Sequence, residues 1–323
     1  MTQLQTTWGW LVAFYLFLGG LGAGTFCAVA VVSLISGSRF KSTVRFGAWA
    51  SAVAIGVGTF LLLLDVGQPF RALVLFRSFS HMSSWMAIGA WLLIVAIVIN
   101  GLCALFWTEL VLAWFGKVWK PLQEKASLVR TILAGVGIPV NLGVAIYTGV
   151  LLGVLPYRPL WHTWLLPLLF TSSALDTGVG LVAGYAALRE KAEGAKRLRM
   201  ALEATIIALI TIEAIVLGFF LVTASNGSAD AARSAEMLTS GTLSWALWIV
   251  VVGLGLVIPL GVCISQLAGL LKKRAAQVVP LIGLSSCLIG GWTLRFLVLS
   301  AGLPQMLNSP GLQQILGGIQ FIP

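Results

Sequence analysis

Residues 160–199 read LWHTWLLPLLFTSSALDTGVGLVAGYAALREKAEGAKRLR. The run 160–186 is mostly apolar and long enough to cross a bilayer, which needs ~20 such residues. It ends abruptly in REKAEGAKRLR, which reads as a solvated, charged linker. In the middle of the greasy part sits Asp176, inside SALDTG. A carboxylate there needs a partner, a water or a proton.

The rest of the chain follows this pattern. Of 323 residues, 59% are hydrophobic and 9% charged, and mean hydropathy is +1.00. A soluble domain carries about 25% charged residues, so this chain has too little polar material to cover a surface in water. Apolar runs recur at roughly 10–36, 44–64, 82–107, 128–152, 160–186, 200–223, 242–268 and 278–301. They predict an all-α integral membrane protein with eight transmembrane helices. Short connections make successive helices antiparallel neighbours and suggest two four-helix bundles, residues 1–152 and 153–323. The first run has no basic segment before it and no clear cleavage site after it, so it is expected to stay as a helix.

The net charge of +10 does not point to nucleic acid, because the basic residues lie in short gaps rather than on one aromatic-rich face. The gaps after runs one, three, five and seven hold 15 of the 20 Lys and Arg, among them Arg39, Lys117, Arg197 and Lys272. By the positive-inside rule these gaps face the cytoplasm and both termini lie outside. The expected location is a cytoplasmic membrane.

Cys27, Cys103, Cys263 and Cys287 fall one each in runs one, three, seven and eight, with no cluster-ligand spacing. His81 and His162 both fall near outer ends; two stacked haems are excluded, a single bis-histidine haem joining the two positions is left open by the sequence alone, and the expectation is no haem and no metal. GGLGAG (19–24) lacks the preceding strand of a nucleotide fingerprint; Gly20 and Gly24, four apart, instead favour close helix approach in lipid.

Ionisable groups inside a span are costly and mark function by default. Asp176, Glu203, Glu213 and Arg295 are the candidates for a proton route through the second half. Counted at 1.5 Å per residue, Asp176 lies roughly 24 Å below the outer start of its run. Glu213 lies about 14 Å and Arg295 about 8 Å below the outer ends of theirs, a broken ladder of sites. For Glu203 the plain alternative is a residue at the inner headgroups. For Arg295 it is snorkelling or an ion pair with Glu213.

A second group gathers at the outer side: Tyr15, Asp65, Arg71, His81 and Tyr147. Tyr147 sits about 8 Å inside its run, where its hydroxyl needs a partner. A lipid-soluble quinone supplies one, since its carbonyl oxygens accept from donors at opposite ends of an apolar slot. In LLLLDVGQPFR (61–71) an acid and an arginine end a hydrophobic run; they either serve such a site or meet headgroups at a turn.

Several stretches in this order, LFLGGLGAG, LLDVGQPFR, SSWMAIGAWLL, AIYTGVLLG, LPLLFTSSALDTG and LRFLVLSAG, resemble the NrfD family, the membrane subunits of polysulfide reductase-type enzymes. The similarity spreads over nearly the whole chain. It implies a membrane subunit with no catalytic centre of its own, which binds menaquinone or ubiquinone as substrate near the outer face. There it docks a four-cluster ferredoxin-like iron–sulfur subunit, which passes electrons to or from a molybdopterin-type or other catalytic subunit. The family's outer motif resembles LDLGRP; Gln68 stands here where an Arg is common. In this reading Asp65 exchanges protons and Tyr147 binds a quinone carbonyl. The alternatives are a secondary transporter, favoured by Gly135–Pro139 and Pro259 within spans, and an inert membrane anchor.

Overall fold

The computed structural model describes residues 9–65, 85–118, 123–270 and 275–304. Among the described residues there is no strand, and eight helices are long and apolar enough to cross a membrane. They are α1 (Trp10–Ser36), α2 (Lys41–Asp65), α3 (Trp85–Phe106), α4 (Ala126–Gly153), α5 (Leu165–Arg189), α6 (Ala195–Ser225), α7 (Ala246–Leu267) and α8 (Ala275–Ser300). Two short helices, Glu109–Val118 and Ala229–Thr239, lie in the connections. The second is capped by Ser228, whose hydroxyl accepts from the Ala231 N–H at 3.3 Å.

Helices α1 to α4 close one ring, each packing on the next and α4 returning to α1; α5 to α8 close a second in the same way. The rings meet where α1 packs on α5 and α8, and α4 on α5. Accordingly 78% of the apolar window of α1 and 72% of that of α5 are buried inside the protein, against 28% for α2, which faces outward. Apolar burial in lipid gives little drive for helices to associate, so close backbone packing must supply it. The sequence provides this at Gly24 and Gly178. A Cβ on Gly24 would stand 1.9 Å from the Ala174 carbonyl oxygen, and one on Gly178 would stand 2.2 Å from the Gly24 carbonyl carbon. The pairing of Gly20 and Gly24 thus serves close approach, as their spacing predicts.

Polar side chains add a lock inside the first ring. Asn100 on α3 donates to Ser51 Oγ on α2 at 2.7 Å and to Asn141 Oδ1 on α4 at 3.0 Å. Asn141 returns a bond to Asn100 Oδ1 at 2.9 Å and donates to the Gly137 carbonyl at 2.9 Å. All three residues are fully buried. Pro139 lies inside α4, yet the helix continues unbroken from Ala126 to Gly153. In α7 the first half, Ala246–Val257, is π-helical, and Pro259 opens the α-helical second half.

The α5–α6 linker is not merely solvated, a correction to the sequence reading. Glu190 is buried and accepts from Thr43 Oγ1 at 2.7 Å and from the Thr43 N–H at 3.3 Å, at the start of α2. A carboxylate there satisfies an orphan donor and opposes the positive end of the helix dipole. Tyr185 hydrogen-bonds Ser42 at 2.9 Å and stacks on Phe46 at 4.0 Å, fixing the same corner. At the opposite end, Trp161 donates its indole N–H to the Val298 carbonyl at 2.8 Å. Arg158 donates to the Gly302 carbonyl, and burial lowers its proton affinity from that of an ordinary arginine.

Candidate functional site

In the first ring, Tyr15 of α1, Asp65 at the last residue of α2, and Tyr147 of α4 lie toward the same end. The Tyr15 hydroxyl lies within electrostatic range of both the Asp65 carboxylate and the Tyr147 hydroxyl. Both tyrosines are half-buried and Asp65 is exposed. Neither phenol has a hydrogen-bond partner among the described residues. Gln68, Arg71 and His81 lie outside the described residues.

A residue the sequence reading passed over shapes this site. Gly89, in the second turn of α3, has the Tyr147 ring packed where its side chain would be. A Cβ there would stand 1.7 Å from Tyr147 Cζ and 2.1 and 2.2 Å from the two Cε atoms. Only a glycine leaves this berth open. The signal available in the sequence was a lone glycine within SSWMAIGAWLL, easily read as generic membrane packing.

The second ring holds the other acids. Helix α5 starts at Leu165, because Leu160 and Trp161 are buried in the preceding loop rather than helical. Asp176 is then about 17 Å along α5, and Glu213 about 18 Å from the Ser225 end of α6. The two acids therefore form a pair at one level rather than rungs of a ladder. Their carboxyl groups are immediate neighbours, and Ser173 reaches Glu213 as well. Glu213 Oε2 nonetheless has no partner of good geometry among the described residues. Asp176 also takes a hydrogen bond from the Thr177 N–H and one from the Cys287 thiol at 3.8 Å.

Arg295 does not snorkel: it is 0% exposed. Nor does it touch either acid, for no ion pair to it is formed among the described residues. Its Nη1 donates to the Gly291 carbonyl at 2.7 Å and to Ser173 Oγ at 3.3 Å, and its Nη2 to the Phe170 carbonyl at 3.3 Å. Phe17 and Phe170 lie under the guanidinium at 5.6 and 5.2 Å. Gly20 of α1 makes room for it, a Cβ there standing 2.9 Å from Nη2. The acids and the cation thus act on each other through space in a buried interior rather than by contact.

Glu203 stands apart. It lies ten residues before Glu213 on α6, about 15 Å along the axis, and borders a partly open cavity of about 30 Å³ lined by α5 to α8. Its side chain is buried among the helices of the second ring. No group of three or more metal-ligating side chains occurs among the described residues. His162 is exposed, and its Nδ1 bonds the Gly153 carbonyl at 2.8 Å within its own loop.

The sequence compares with known proteins over almost its full length. The family model "Polysulphide reductase, NrfD" matches residues 2–306. A polysulfide reductase chain of Wolinella succinogenes is 30% identical over 306 residues, spanning 91% of the present sequence and 94% of that protein. Protein NrfD of Escherichia coli is 25% identical over 310 residues, with the same shares covered. A selenate reductase subunit of Mesobacillus selenatarsenatis is 26% identical over 203 residues, 55% of the present sequence and 47% of that protein. With eight apolar spans among the described residues and a match over residues 2–306, this chain belongs to the NrfD (polysulphide reductase) family of multi-pass membrane proteins.

Proposed function

We propose that the chain is the membrane subunit of a respiratory oxidoreductase complex in the bacterial cytoplasmic membrane. It exchanges electrons between the quinone/quinol pool, menaquinone or ubiquinone, and a four-cluster iron–sulfur subunit. That partner connects to a molybdopterin-type or other catalytic subunit. Two relatives are named as components of polysulfide and selenate reductases, which supports this reading. The observation that carries it is the placement of Tyr15, Asp65 and Tyr147 at one end of the first ring: two phenols without a hydrogen-bond partner among the described residues, one of them within electrostatic range of a carboxylate.

The chemistry follows from those groups. A quinol releases two electrons and two protons as it becomes a quinone. Tyr147, helped by Tyr15, holds a ring oxygen by a hydrogen bond, and Asp65, exposed at the end of α2, accepts or supplies a proton at that oxygen. Arg71 and His81 belong to the same site in this reading. The basic loops face the cytoplasm, so the site, the docked partner and both termini lie on the outer face. The unbroken course of α4 through Pro139 weighs against a transporter built on interrupted helices.

The test is quinol-dependent reduction of the clusters in the purified complex, lost or slowed in Tyr147→Phe. Absence of any co-purifying quinone, together with turnover indifferent to quinone-site inhibitors, refutes the proposal.

The Asp176–Glu213 pair with Arg295 near it favours a second role, a proton path through the α5–α8 ring, with Glu203 at its basic-loop end. Such a path makes electron transfer electrogenic. Asp176→Asn then abolishes proton uptake from the side of the basic loops while leaving quinone binding intact.

A further inference from the structure

Glu203 and the Asp176–Glu213 pair are too far apart for a proton to pass directly, and the structure places a cavity between them. Four helix stripes converge on it. On α5, Asp176, Gly180 and Gly184 recur every fourth residue, so they share one face, and the two glycines line the cavity. On α8, Pro280, Gly283 and Cys287 do the same from the other side. Cys287 forms the deep end, where its thiol touches Asp176 Oδ2 at 3.8 Å. Gln266, one residue before the end of α7, and Pro280, near the start of α8, mark the end toward the basic loops.

The lining has polar groups without protein partners. Glu203 is 8% exposed and its carboxyl has no hydrogen bond among the described residues. Gln266 Nε2 is a buried donor with no acceptor among the described residues. Pro259 and Pro280 each withdraw a helical N–H, which leaves carbonyls without their usual donor. A polar cavity needs about 10–15 Å³ per water and partners to hold it. About 30 Å³ has room for water, and on a wall that is mostly apolar the Glu203 carboxyl and the unpartnered Gln266 amide supply the partners.

We propose that this cavity is a water-holding antechamber that hands protons from the basic-loop side to the Asp176–Glu213 pair. Glu203 is its entry carboxylate and Cys287 the residue that positions Asp176 at its inner end. The proposal rests on the proton path of the preceding section. Each transfer balances: Glu203 takes a proton from bulk water, a cavity water carries it to the Cys287 sulfur, the thiol passes its own proton to Asp176 Oδ2, and Glu203 is left ready for the next. Gly180 is the point at which the passage can be plugged. A Cβ there meets only Leu284 Cδ1 at 3.9 Å, so a larger side chain grows into open space rather than into backbone.

The experiment uses the whole complex in oriented proteoliposomes. The infrared S–H stretch of Cys287, assigned by its loss in Cys287→Ala, is followed after transfer to D2O, with Cys27 of the first ring as an internal reference. The expected result is prompt exchange at Cys287 in the unaltered protein and loss of that prompt exchange in Gly180→Leu. Proton uptake during quinol turnover is lost in both Gly180→Leu and Glu203→Gln, the second of which changes no volume. Exchange at Cys287 no faster than at Cys27 overturns the antechamber. So does full proton uptake in both variants when Asp176→Asn has lost it, an outcome that leaves the path itself standing. Full uptake in Asp176→Asn as well sinks the path and the antechamber together.

Discussion

Replacing Gly89 by alanine tests the first-ring site through a residue that cannot itself touch chemistry. The new Cβ would lie 1.7 Å from Tyr147 Cζ. Carbon atoms pack at about 3.5–4.0 Å, so the ring must retreat by roughly 2 Å. A hydroxyl hydrogen bond to an oxygen spans about 2.5–3.0 Å, and a shift of that size breaks it. One such bond is worth about 0.5–1.5 kcal/mol net, which corresponds to roughly a two- to tenfold fall in kcat/KM for quinol. Overpacking also costs about 1–3 kcal/mol of stability, so thermal unfolding of the purified complex must accompany the kinetics. Tyr147→Phe removes the same hydrogen bond without displacing the ring and sets the comparison. If Gly89 acts through the phenol, Gly89→Ala added to Tyr147→Phe lowers kcat/KM little further. A full multiplicative loss in the double variant, or unaltered kinetics in Gly89→Ala alone, refutes the berth as a device for placing Tyr147.

Two further outcomes follow from the packing. Asn100→Leu removes three side-chain hydrogen bonds, each worth about 0.6 kcal/mol between membrane helices, so unfolding in mixed micelles should show a loss of about 2 kcal/mol. Gly24→Leu drives a side chain into the Ala174 carbonyl and forces α1 from α5; the yield of folded, monodisperse protein on size exclusion should collapse, whereas Gly56→Leu, with nothing within 4 Å of its Cβ, should fold normally.

The spans were legible because lipid imposes a length and a composition that nothing else satisfies. Their ends were less so. Helix α6 begins at Ala195 and keeps Lys196, Arg197 and Arg199 helical, since backbone hydrogen bonding continues past the point where apolarity stops. In the opposite sense, Leu160 and Trp161 are apolar without being helical, which misplaced the start of α5 and turned a pair of acids into a supposed ladder. Asp176, Glu213 and Arg295 could be picked out singly as charges in lipid, but which of them touch depends on helix rotation. The Ser51–Asn100–Asn141 lock escaped because its members carry no charge. The cavity had no sequence signature at all, being the volume four helices fail to fill.

The central place of α1 has a consequence for biogenesis. Its neighbours α5 and α8 lie far along the chain, Leu165 and Ala275 against Trp10. At a synthesis rate of about 5–20 residues per second, α1 waits roughly 10–30 s before α5 exists to meet it. During that interval its glycine face has no helix from the second ring against it. Insertion therefore favours a shelter for this hairpin, and a lesion in α5 leaves the stranded face as the mark by which quality control recognises the failed protein.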